Sequence, residues 1–195
     1  MKPSSFRTIL RTAACTLALL LTASVLVSCG KKRSAEEELS DGKAAYSLMD
    51  FDSAAKHFAL AAKQGNAEAQ YNLGVCYEYG EGVENDMKEA VKWYRKAAEQ
   101  GFTDALNNLG ACYANGNGVE NDMKEAVKWF RKAAEQNDAV AQFNLGVSYE
   151  KGDGVEKDMN EALNWYRKAA EQGEENAKSA LERLTQQAGR TSPPL

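Results

Sequence analysis

The chain has 195 residues, room for one ordinary domain. Apolar residues make up 44% and charged residues 27%, which is the balance of a globular protein. The net charge is −4 and there is no basic patch to hold phosphates, which argues against nucleic acid as a partner.

Residues 1–28 carry Lys2, Arg7 and Arg11 and no acid, so the remainder of the chain stands at −7. Ala13 to Val27 is an uncharged apolar run of 15 residues. A membrane span needs about 20, so this run suits the core of a secretory signal. It ends in Leu26-Val27-Ser28-Cys29-Gly30. That sequence resembles a bacterial lipobox. The resemblance implies that the Cys29 thiolate takes up a diacylglycerol and that cleavage before it removes residues 1–28. Other readings of the run, a secretory signal cut nearby or an uncleaved anchor, stay open. Two or three acyl chains would hold the protein firmly, since each buried methylene contributes about 0.8 kcal/mol. Gly30 rather than Asp after the cysteine is similar to lipoproteins sorted to the outer membrane of Gram-negative bacteria, facing the periplasm. Residues 29–40 then read as a charged tether.

Residues 41–65, through Gly42-Lys43-Ala44-Ala45-Tyr46 and Asp50 to Phe58, resemble one tetratricopeptide-type helix–turn–helix unit with a short turn. Aligned on its second helix, Ala54 matches Ala90, His57 matches Trp93 and Phe58 matches Tyr94. Three units of 36 residues follow, at 66–101, 102–137 and 138–173. The first two agree at 25 of 36 positions without a gap.

Within a unit, helix A is predicted from about Ala67 to Tyr79. Ala69, Leu73 and the pair Cys76–Tyr77 share one face. Gly74 lies inside that face, with Gly110 and Gly146 in the same slot. A mid-helix Gly costs about 1 kcal/mol against Ala, so close approach of helix B is expected there. The connection is Gly-x-Gly-Val (Gly80, Gly82, Val83 in the first unit). It follows a helix and has no third Gly, so it is read as a turn needing positive φ rather than a phosphate loop. Helix B opens with Asp86, Asp122 and Asp158, each followed three residues on by Glu, as in a capping box. Trp93, Trp129 and Trp165 flank its buried stripe and are expected to pack between units. Helix B ends at Gly101, Asn137 and Gly173, residues that tolerate a left-handed position. Residues 174–188 read as a charged capping helix, with Leu181 in the Leu slot and Glu182 in the Gly slot. Residues 189–195 read as a loose tail.

The pattern A…LG..Y..G.GV..D..EA..WY.KAA.QG resembles the Sel-1-like repeat, a relative of the tetratricopeptide repeat. The match spans 66–173. The resemblance implies an all-α, right-handed α-solenoid of antiparallel helix pairs that serves as an adaptor for other proteins.

Chemistry is sparse. His57 is the one histidine, and no second His or suitable Cys stands near it in sequence, so no metal and no cofactor is expected. Cys76 and Cys112 occupy equivalent slots and read as buried filling. Neighbouring helix pairs set such slots about 10 Å apart, beyond the ~7 Å limit of a disulfide. The acidic loops lack the ligand spacing of a calcium loop. No nucleophile–base pair is evident, so the chain reads as a non-enzyme. A hydrolase acting on peptidoglycan or β-lactams, or a structural envelope protein without a ligand, are the alternatives.

Similarity to tetratricopeptide domains implies that the A helices line a concave groove for an extended peptide or helix of another envelope protein. Positions that differ between units are the candidates for recognition: Glu68, Asp104 and Val140; Tyr71, Asn107 and Phe143; Val75, Ala111 and Val147; Glu78, Ala114 and Glu150. Tyr71 and Phe143 would be the apolar anchors. Asn72, Asn108 and Asn144 are identical in all units and are expected to tie helices together.

Overall fold

A computed structural model describes residues 32–191, with side chains to Gln187. Residues 1–28, expected to be a signal, Cys29, expected to carry the lipid, the start of the expected tether and the last residues of the expected tail lie outside the described residues. Among the described residues there are only helices and their connections. They run in order as α1 Ala35–Ser47, α2 Phe51–Lys63, α3 Ala67–Tyr79, α4 Met87–Glu99, α5 Thr103–Asn115, α6 Met123–Glu135, α7 Ala139–Lys151, α8 Met159–Glu171 and α9 Glu175–Thr191. Consecutive helices pack as neighbours, which makes the array an all-α solenoid of antiparallel pairs. Helix α1 starts at Ala35, so the end of the stretch read as tether is helical. Helix α9 runs to Thr191, beyond the predicted stop at 188, and takes in the beginning of the presumed tail. No described helix is long and apolar enough to cross a membrane.

The local reasons match the sequence. Asp86 accepts hydrogen bonds from the backbone N–H of Lys88 and Glu89 at 2.9 and 3.1 Å, and Asp122 and Asp158 do the same. Only this half of the expected capping box forms. The N–H of Asp86 donates instead to the Tyr77 carbonyl at 3.0 Å, so the Glu89 carboxylate has no donor there and pairs with Lys92. At the other end, Gly101 takes φ +83° and Asn137 φ +69°. The N–H of Phe102 reaches the Ala97 carbonyl and that of Gly101 the Ala98 carbonyl, the double bond set that closes a helix with a left-handed residue.

Two glycines explain how the layers meet. A Cβ on Gly110 would lie 2.7 Å from the Phe130 ring, so the ring of helix B rests on bare backbone of helix A. Tyr94 and Tyr166 rest on Gly74 and Gly146 in the same way. The second Gly of the connection has a further cause beyond its φ of +70°. A Cβ on Gly118 would overlap the Met87 carbonyl at the start of the preceding helix B. Gly82 meets Phe51 and Gly154 meets Met123 likewise, so the loop of each unit seats on the first turn of the helix B before it.

Buried side chains group into α1–α3, α4–α7 and α8–α9. Helices α3 and α4 therefore contribute to different clusters although they form one repeat, and the units interlock. Val83, Val119 and Val155 tuck their loops onto these clusters. Trp93 packs on the first cluster, Trp129 lies in the middle one and Trp165 packs against it, as expected of side chains between units. Each indole carries a lysine ammonium over its face, at 3.8, 4.3 and 4.0 Å for Lys96, Lys132 and Lys168.

Candidate functional site

The groove is lined by α3, α5 and α7, flanked by α1 and α9, and it holds three hollows. The first, about 260 Å³, lies between α1 and α3 and brings Tyr71 and Val75 together with Lys43 and Tyr46. The second, about 360 Å³, brings Ala111 and Val147 together over Phe130, with Ala114 beside them. The third, about 670 Å³, lies toward α9 and is lined by Phe143, Val147 and Glu150 with Lys151 and Arg183. Tyr71 stacks against Tyr94 and Phe102 with ring centroids 5.7 and 5.2 Å away, and Phe143 against Tyr166 at 5.7 Å. Both proposed anchors are thus held half-buried rather than free to swing.

The remaining candidates divide. Glu68, Asp104 and Val140 stand in the first turns of their helices and line none of these hollows. Glu68 pairs with Lys43. Partial burial, then the nearby Asp138 and Glu68 carboxylates, raise Asp104 above the usual carboxylate range. Asn107 accepts a hydrogen bond from the Asn144 amide at 3.2 Å, so Asn144 does tie neighbouring units. Asn108 serves the hydroxyls of Tyr71 and Tyr94.

Glu78 and Glu150 do not simply face outward. The Tyr94 hydroxyl donates to Glu78, and the Tyr166 hydroxyl donates to Glu150 at 2.7 Å. Arg183 also donates to Glu150, at 2.8 Å. Burial and the adjoining carboxylate push Tyr94 and Tyr166 well above the usual phenol range. For Glu150, partial burial works upward, but the Tyr166 and Arg183 hydrogen bonds outweigh it and hold the carboxyl below its ordinary value. The middle repeat has Ala114 opposite Phe130, so both the acceptor and the hydroxyl are absent together. A second set alternates in step. Gln100 donates to Gln70 at 2.7 Å and Gln172 to Gln142 at 2.8 Å, whereas the middle repeat has Leu106 and its Gln136 accepts from Thr103.

Sequence reasoning confined the groove to the three 36-residue units and missed what α1 and α9 add. Lys43, Val75, Ala111, Val147 and Arg183 fall in one slot of successive A helices, so cations close both ends of an apolar lane. Extending the alignment to the two end helices is the signal that finds them.

Elsewhere, Cys76 and Cys112 are free and buried, and burial pushes both thiols up to about 11. His57 Nδ1 lies 2.7 Å from a Glu38 carboxylate oxygen, a packed pair rather than a ligand site. Among the described residues no cluster of His, Cys, Asp or Glu could hold a metal ion.

A stack of antiparallel helix pairs, with hollows along its A helices, defines the class: a helical repeat scaffold. The model of the Sel1 repeat matches residues 41–66, 67–102, 103–138 and 139–174, and the chain belongs to that family. The 41–65 unit, read from sequence as tetratricopeptide-like, therefore matches the same repeat as the other three. Such repeats are typically non-catalytic scaffolds. A protective antigen of uropathogenic Escherichia coli with this repeat fold is 40% identical over 87% of this chain and 36% of its own, with a TM-score of 0.77. A Sel1 repeat protein of Oxalobacter formigenes is 44% identical over 72% of this chain and 56% of its own, with a TM-score of 0.68. The cysteine-rich protein B of Helicobacter pylori, at 24% identity and a TM-score of 0.54, shares the fold over 67% of this chain and 94% of its own. A curated relative, the DAP3-binding cell death enhancer 1 of Rattus norvegicus, is 42% identical over 41 residues, 21% of this chain and 8% of that protein. The chain thus spans well under two thirds of the first two solved relatives and a small part of the curated one.

Proposed function

We propose that the protein is a lipid-anchored scaffold of the bacterial cell envelope whose groove holds an extended segment of a partner protein. The observation that carries this is the lane of Val75, Ala111 and Val147, which opens into three hollows flanked by the anchored rings of Tyr71 and Phe143. Half-buried aromatic rings at fixed positions are what a binding surface needs to gain affinity without ordering mobile side chains. The sequence Leu26-Val27-Ser28-Cys29 supports attachment through a lipid on Cys29, and bacterial relatives at 40% and 44% identity support the bacterial setting.

Labelled palmitate given to cells should enter the wild-type chain and not Cys29→Ala. A photocrosslinker placed at Ala111 should capture one discrete envelope protein, and Tyr71→Ala with Phe143→Ala should abolish that capture. Label in the cysteine variant would overturn the anchor, and undiminished capture by the double variant would overturn the groove.

A further inference from the structure

The geometry points to the middle repeat as the place where the groove selects its partner: the second hollow takes an apolar side chain of an extended peptide, and Lys151 takes a carboxylate next to it. This rests on the scaffold reading above and gives that partner a chemistry.

The hollow differs from the one beside Tyr166 in what the middle repeat lacks. In the flanking units a Tyr hydroxyl on helix B is tied to a Glu on helix A. Phe130 and Ala114 stand in those two slots here. Had only one member changed, a polar atom would have lost its partner and the space would have stayed polar. Because both changed, the floor is a bare ring with Ala111, Ala114 and Val147 beside it, and Asn115, Ser148 and Asp153 make the rest of the lining polar. An apolar side chain entering this space finds no stripped donor or acceptor on the ring or on those three apolar side chains.

The second part comes from charge. Lys151 is exposed and lines both this hollow and the next. The other cations of the lane are already held, Lys43 by Glu68 and Arg183 by Glu150. Lys151 enters none of the ion pairs among the described residues. Its neighbour Glu150 is engaged by Tyr166 and Arg183. Asp153, the acid that lines the hollow, makes no ion pair with it. A peptide carboxylate would complete the lysine. Beside it, Asn144 spends its amide on Asn107 and keeps a carbonyl oxygen for a peptide N–H.

The test uses three fluorescein-labelled peptides and anisotropy on the full chain. Gly-Ser-Leu-Asp-Ser-Gly should bind, and versions with Lys for Asp or with Gly for Leu should bind at least tenfold more weakly. Lys151→Glu should weaken the first peptide at least tenfold. Ala114→Glu with Phe130→Tyr puts the flanking units' polar pair into the hollow, so it should weaken the first peptide at least tenfold while leaving the helical circular dichroism unchanged and Tm close to that of the wild type. Equal binding by that double variant, equal binding of the lysine peptide, or no binding of the Leu-Asp peptide at about millimolar concentration would each overturn the proposal. The cellular crosslink separates this from the scaffold reading. Capture kept in the Ala114/Phe130 variant but lost in the Tyr71/Phe143 variant sinks the hollow and leaves the groove. Capture kept in both sinks both.

Discussion

The middle repeat and its two neighbours are built on one plan and differ in how they satisfy their interiors. The neighbours bridge helices A and B with polar pairs, Tyr94 with Glu78 and Tyr166 with Glu150, and Gln with Gln alongside. The middle repeat fills the same slots with Phe130, Ala114 and Leu106. Each solution is complete in itself. What the difference teaches is that variation between repeats need not mark recognition, because some of it records a change made twice to keep one buried contact satisfied.

The largest effect should come where the repeats do not differ. Gly118→Ala forces a side chain onto the Met87 carbonyl at a backbone φ of +70°. It should cost about 3 kcal/mol or more in urea unfolding. Gly82→Ala and Gly154→Ala should cost about the same, and a middle repeat cheaper by over ~1 kcal/mol would show that its seam is different.

Next come the pairs. Phe130→Tyr alone places a hydroxyl without its acceptor and should cost about 1–3 kcal/mol, most of it recovered when Ala114→Glu is added. Tyr94→Phe alone should cost about 1 kcal/mol, recovered in part by Glu78→Ala. Additive losses in either double variant would dissolve the comparison.

The smallest effect concerns pH. The folded state holds Glu150 below its ordinary carboxylate value. Its contribution to stability is therefore present above the unfolded carboxylate range and is lost as pH falls through the folded value. Arg183, the charge that faces it, is half-exposed, so solvent screening keeps the effect small. The Tm of Glu150→Gln should lie slightly below wild type near pH 7 and converge on it as pH falls through the folded value of Glu150, whereas Ala114→Gln in the middle repeat should show no such convergence.

Much of this was legible in the sequence. The period of apolar residues and the glycines after each helix gave helix A as Ala67–Tyr79, and Asp86 announced its cap. The role of Gly74 followed from the cost of a glycine in mid-helix. The second purpose of Gly118 did not, because its contact lies with Met87, about one repeat earlier, and no local pattern reports a contact between backbones. Glu78 and Glu150 read as outward by helical phase, yet a long side chain at such a position can fold back onto the next helix. The signal was present in two columns read together: Tyr accompanies Glu, and Phe accompanies Ala. Lys43 and Arg183 escaped because α1 and α9 keep the slots of helix A but little of the repeat's signature. The start of α1 at Ala35 escaped because an acidic, charged stretch looks alike as tether or as first helical turn.

The seam between units has a further meaning. Gly82, Gly118 and Gly154 each approach main-chain atoms of the preceding unit, so this contact is the same whatever side chains stand around it. The joint carries no address. A unit copied, removed or inserted whole would find the same carbonyl waiting at the same place. Array length is then a quantity that duplication can change freely, while the contents of each slot drift on their own, and a chain of this kind can lengthen its reach without redesigning its fold.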